Sequence, residues 1–156
     1  MTEPAVIEAE PSARGRRIAI VAARFNDLVV ASLLKGATRA WFERGGAAAD
    51  LAIVRVPGAF ELPLAARKLA GSGRFDAVVA LGCVIRGDTP HFEYVAGECA
   101  HGLQLASLET GVPVAFGVLT VETLEQALER AASAAGNKGG EAMESALEMA
   151  GVLARL

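Results

Sequence analysis

The chain has 156 residues, is 53% hydrophobic but only 5% aromatic, and carries a formal charge of −3. That length suits one domain with one core, packed mainly by Ala, Val and Leu. Interspersed charges without a basic stripe argue against nucleic acid as the main partner, and no apolar run is long enough to cross a bilayer.

Residues 1–15 read as a polar tail with acids and two prolines, lacking the basic-then-apolar order of a signal peptide. Residues 16–156 read as a single domain. The run from Arg17 to Ala22 suits a strand buried on both faces. Asn26 and Asp27 are good caps for a helix in which Val30, Leu33, Leu34, Ala37 and Trp41 recur at helical spacing, stopped by Gly45-Gly46.

The cycle then repeats. Residues 51–56 form a second β-branched run closed by Pro57-Gly58, and 62–70 read as a helix ending at Gly71. Residues 77–85 make a third strand, 91–108 a long helix stopped at Gly111, and 114–119 a fourth strand. Residues 122–135 and 141–156 read as helices separated by a break at 136–140. Four alternations with short connections call for a three-layer α/β/α sandwich on a four-stranded parallel sheet, of flavodoxin-like type.

In such a sheet, ligands collect beyond the carboxyl ends of the strands. Three of the segments there are unusually rich: 23–26, 57–61 and 85–91. No GxxxxGK[ST] occurs and no GxGxxG follows the first strand, so nucleotide binding loses support. In the third segment Gly87 permits close backbone approach, Thr89 offers a hydroxyl, and a long helix begins at Pro90 or His91. A helix start of this kind is an anion or phosphate site; equally, Asp88 or Thr89 simply caps the helix.

His91 occupies the first turn of that helix, where the helix dipole favours the neutral imidazole that accepts a proton. A plain surface histidine fits the position equally well. His101 lies further along the helix and reads as structural. Two histidines and two dispersed cysteines form no recognisable metal cluster, and Cys83 and Cys99 lack CxxC spacing. Without a disulfide framework they suit a reducing compartment, and a cytoplasmic location is the expectation.

Phe25 and Phe60 each follow a strand, where an aromatic either stacks on a planar heterocycle or plugs the core. Glu61 either bonds a polyol or serves as a first-turn acid. With Leu124, Leu128 and Ala131 as the buried stripe of its helix, Arg130 lies well away from the core. It becomes functional only if a neighbouring subunit brings a phosphate to it, and Lys138 shares that ambiguity.

Five segments stand out in order: Arg24-Phe25-Asn26, the run 56–63 (VPGAFELP), the run 81–92 (LGCVIRGDTPHF), Phe116-Gly117-Val118-Leu119-Thr120, and Gly136-Asn137-Lys138-Gly139. Together and in this order they resemble the lumazine synthase family. The resemblance extends from about Arg16 to the C-terminus. It implies condensation of 5-amino-6-(D-ribitylamino)uracil with 3,4-dihydroxy-2-butanone 4-phosphate, the penultimate step of riboflavin biosynthesis, without metal or other cofactor.

By the same resemblance, Phe25 stacks on the pyrimidine, Asn26 beside it belongs to the substrate-binding set, Ala59, Phe60 and Glu61 hold the ribityl chain, and Val84 and Ile85 offer backbone groups to the heterocycle. Asp88 (through its N–H) and Thr89 hold the substrate phosphate, and His91 transfers protons. Phe116, Arg130 and Lys138 come from a neighbouring subunit, which implies a homo-oligomer built from pentamers. The short break at 136–140 mildly favours an icosahedral shell over the pentamer.

Two rival expectations remain. One is a catalytically silent shell protein that binds lumazine or flavin. The other is a lumazine dismutase on the same scaffold, which would need no phosphate site and so no Thr89 or Arg130.

Overall fold

The computed structural model describes residues 2–132 and 136–156. Its elements are β1 (Ile18–Ala23), α1 (Asp27–Glu43), β2 (Leu51–Val56), α2 (Leu62–Ala70), β3 (Ala77–Ile85), α3 (His91–Thr110), β4 (Val114–Val121), α4 (Leu124–Ala132) and α5 (Lys138–Leu153). The four strands form one parallel sheet in the order β2-β1-β3-β4. The three-layer α/β/α sandwich of flavodoxin-like type is therefore the fold of this chain.

The two-residue period of β3 shows how the layers are filled. Ala77, Val79, Leu81 and Cys83 point to one face, where they meet α1, α4 and α5 around fully buried Trp41, Met143 and Leu147. Val78, Ala80 and Val84 point to the other, against α2 and α3 through Leu62, Cys99 and Leu103. Nearly all of β1 and β3 is buried, as a central parallel strand requires.

Several boundaries differ from the reading of the sequence. β4 runs through Thr120 and Val121, which pair with Val84 and Ile85, so these two residues are strand rather than loop. The buried stripe of α4 consists of Ala127 and Ala131, while Leu124 and Leu128 are exposed. Small residues bring α4 close to α1, leaving the leucines on the rim. The last three residues of the expected helix 122–135 lie outside the described residues.

Of the break expected over 136–140, only residues 136 and 137 lie outside helix, because α5 begins at Lys138. Gly139 and Gly140 are helical and serve close packing. A Cβ built on Gly139 would lie 2.0 Å from the Leu33 carbonyl oxygen of α1. Asn137 caps the helix from a buried position. Its Oδ1 accepts from the N–H groups of Gly139 and Gly140 at 2.8 and 3.1 Å. Its Nδ2 donates to the carbonyls of Ser32 and Ala131 at 3.0 and 2.8 Å. One carboxamide thus joins α1, α4 and α5 with all its bonding capacity used.

The segment 2–13 carries no helix or strand. Its path is fixed at two points: the Glu8 carbonyl accepts from Arg155 at 2.8 Å, and the N–H of buried Ala13 donates to the Arg44 carbonyl. Among the described residues no helix is long and apolar enough to cross a membrane, and no group of three His, Cys, Asp or Glu is placed to hold a metal ion.

Candidate functional site

The connections from β1 and β3 leave in opposite directions, and a cleft of about 640 Å³ opens beyond the carboxyl ends of those strands. Its walls come from the loops after β1, β2 and β3 and from the first turns of α3. Phe25 and Asn26 line it from the first loop; Ala59, Phe60 and Glu61 from a short 3-10 turn after β2. Val84, Ile85, Thr89 and His91 line it from the third side. Nine of the sequence-predicted residues therefore share one cavity.

Local bonding explains how these loops are held. The N–H groups of Arg24 and Phe25 donate to the carbonyls of Val56 and Pro57 at 2.8 and 3.0 Å, carrying the β1–β2 pairing into the loops. A Cβ on Gly58 would sit 3.3 Å from a Glu61 carboxylate oxygen and 3.9 Å from the Phe25 Cβ, so Phe25 and Glu61 converge over this glycine. Phe25 and Phe60 are 72% and 59% exposed. They are cavity walls rather than core plugs.

Asn26 occupies the cap position of α1 as the sequence suggests, and its carbonyl accepts from the N–H groups of Val29 and Val30. Its backbone is left-handed, with φ 62, but its side chain does not serve the cap. Nδ2 instead donates to the Cys83 carbonyl of β3. Thr89 makes only a long contact with the His91 N–H, at 3.4 Å, and Pro90 occupies the cap position of α3. Thr89 and the first turn of this 20-residue helix, which has no side-chain cap bond, consequently line the cleft. Asp88 is exposed on the same loop but does not line the cavity.

Phe116, Arg130 and Lys138 lie elsewhere, on a second concave surface of about 410 Å³ along the outer edge of β4, between α4 and α5. Arg130 donates to the Gln126 carbonyl at 3.0 Å, and Lys138 pairs with Glu141 at 3.2 Å. Phe116 is 47% exposed on the edge strand. One subunit thus carries two separate groups of the predicted residues.

Sequence reasoning missed several walls of the cleft: Cys83, Phe92, Val95 and the 70% exposed Tyr94. Tyr94 and Val95 follow His91 at the helical offsets that share its face, which is the signal that could have found them. Asn137, which fixes the start of α5 and so the position of Lys138, was hidden in the apparent glycine break.

Electrostatic anchoring centres on Arg86, the residue after β3. Glu122 and then Glu93 hold its guanidinium further in the charged form by hydrogen bonding, raising its pKa above the ordinary arginine value. Burial pushes both thiols, Cys83 and Cys99, up to about 11, so neither is a nucleophile near neutral pH.

Compared with known protein families, residues 15–154 match the family model described as 6,7-dimethyl-8-ribityllumazine synthase.

Proposed function

This chain belongs to the 6,7-dimethyl-8-ribityllumazine synthase family, and we propose that it condenses 5-amino-6-(D-ribitylamino)uracil with 3,4-dihydroxy-2-butanone 4-phosphate. The observation that carries this reading is the division of the predicted residues between two surfaces of one subunit. The cleft at β1 and β3 holds aromatic walls, a carboxylate and a helix start. The β4 edge holds an aromatic and two cations. Each is half a site, and a neighbouring copy that sets its β4 edge over the cleft completes it. A repeated contact of this head-to-tail kind closes into a ring, here a pentamer that can build larger shells in the cytoplasm.

The chemistry suits such equipment. The 5-amino group adds to the ketone and, with loss of one water, gives an imine. Elimination expels the phosphate as an anion, and the resulting enol becomes a ketone. The ribitylamino nitrogen then closes the second ring with loss of another water.

In this scheme Phe25 stacks on the pyrimidine, and Ala59, Phe60 and Glu61 hold the ribityl chain. Backbone groups of Val84 and Ile85 fix the heterocycle. Thr89 and the N–H of Asp88 bind the phosphate, and Arg130 of the neighbouring copy closes on it. His91 moves the protons that elimination and ring closure require. Co-binding of two reactive molecules supplies much of the acceleration, and His91 adds about 10²–10⁴-fold.

The test is an absorbance and fluorescence assay with both substrates, run on the wild type and His91→Ala. Lumazine formed above the spontaneous background, and slowed in the variant, supports the reading. Wild-type formation at the background rate, with ribityl-pyrimidine analogues still bound, would replace it with a silent binding shell.

A further inference from the structure

Arg86 has no part in the condensation scheme, yet its guanidinium meets three other residues from two segments of the chain. Its backbone N–H donates to the Val121 carbonyl at 2.9 Å, extending the β3–β4 pairing by one residue. Its Nε lies 2.9 Å from a Glu122 carboxylate oxygen, just beyond β4. Its Nη1 donates to Glu93 at 3.2 Å, and its central carbon stands 4.5 Å from the Phe92 ring centroid. Phe92 and Glu93 directly follow His91, and Phe92 is packed against the α2–α3 side of the core. From Glu122 the contacts continue. Its N–H donates to the Gln126 side chain at 2.8 Å, and the Gln126 carbonyl accepts from Arg130.

We propose, resting on the condensation reading, that Arg86 is a positioning residue. Its guanidinium locks the His91-bearing turn of α3 to the start of α4, which carries Arg130. His91 serves its own subunit's cleft, while Arg130 reaches the neighbour's. Arg86 therefore ties the proton-transfer group of one site to the phosphate-closing group of the next.

The shape of the side chain matters to this role. An exposed ion pair by itself adds little to stability. A planar fork that holds two carboxylates and stacks on a ring restricts orientation instead. Lysine offers one compact charge on a flexible stem and cannot hold Glu93, Glu122 and the Phe92 face together.

The experiment uses the full chain with Arg86→Lys, Arg86→Met and a control, Arg67→Met, whose pair with Glu109 at 3.6 Å lies at the other end of α3. Both Arg86 variants should lose turnover about tenfold or more, with KM for the pyrimidine changed less than about twofold. Melting should stay within about 2 °C of wild type. The control should keep wild-type turnover.

Backbone amide exchange, read without substrate, should accelerate about tenfold over residues 87–93 in Arg86→Met and stay unchanged at Val79 and Ala80. Unchanged exchange over 87–93 overturns the proposal, as does wild-type turnover in Arg86→Lys. A fall in melting temperature that tracks the loss of turnover also overturns it, because Arg86 would then be a structural residue. A wild type that forms no lumazine sinks the condensation reading alone, and the exchange arm still decides whether Arg86 orders the turn.

Discussion

Asn26 donates from Nδ2 to the carbonyl oxygen of Cys83 at 2.8 Å, joining positions 57 residues apart. The β1–β3 pairing ends with Ala22 opposite Leu81. The carboxamide takes over beyond that point, binding the loop that carries Phe25 to the strand that carries Val84 and Ile85. The bond also holds Asn26 in the left-handed region, the one non-glycine residue there among the described residues.

Two substitutions separate these contributions. Asn26→Ala loses the bond and leaves a Cβ residue at positive φ, so it should destabilise the fold by about 2 kcal/mol in urea unfolding. Asn26→Gly relieves the backbone and should cost clearly less. Both should weaken binding of a ribityl-pyrimidine analogue, read by fluorescence titration, because the Phe25 loop is no longer tied to β3. Equal losses of stability in the two variants would contradict the backbone argument.

Gly139→Ala tests the packing of α5 on α1. With its Cβ 2.0 Å from the Leu33 carbonyl oxygen, the backbone of one helix must move. Overpacking of this kind should cost at least about 2 kcal/mol, measured by urea unfolding. A loss below about 0.5 kcal/mol would mean that the helices separate freely.

That glycine also marks where the sequence was hard to read. Strands and helices were legible because β1 and β3 are continuous apolar runs and because Val30, Leu33, Ala37 and Trp41 keep helical spacing. The Gly136–Gly140 segment looked like a break because glycine ordinarily punctuates helices, whereas here tertiary contact with Leu33 and the buried Asn137 cap reverse that preference. Leu124 and Leu128 misled for a related reason: hydrophobicity alone does not say which face meets the core, and on α4 the small Ala127 and Ala131 do. Nine cleft residues could be grouped because strand ends are shared geometry. The loop-to-strand bond of Asn26 and the fork of Arg86 depend on contacts between segments distant in sequence, and no local pattern encodes them.

Both cysteines should resist alkylation in the native protein at pH 8, because burial keeps the thiols protonated. The sign for stability follows from the direction of the shift. Each thiol ionises near 9 when unfolded and near 11 when folded, so the native state retains more protons between those values. Stability contributed by the neutral thiols is complete below pH 9 and declines from there towards pH 11. Alkylation with iodoacetamide, followed by mass spectrometry with and without urea, checks the first point. Rapid native labelling at pH 8 would contradict it.

Arg130→Ala should raise KM for the phosphorylated butanone about tenfold or more, with little change for the pyrimidine. Steady-state kinetics with each substrate varied in turn separates the two. Equal effects on both would place Arg130 outside the phosphate subsite.

The central claim is that one working site is made from the cleft of one subunit and the β4 edge of the next. Co-expression of His91→Ala with Arg130→Ala tests it most directly, because each variant alone lacks one half. In mixed oligomers, an intact cleft beside an intact Arg130 recurs at about one interface in four. With the phosphorylated butanone held well below its KM, lumazine formation should then recover to about a quarter of the wild-type rate, above either variant alone. Mixed oligomers no more active than the two variants separately would contradict a site shared between subunits.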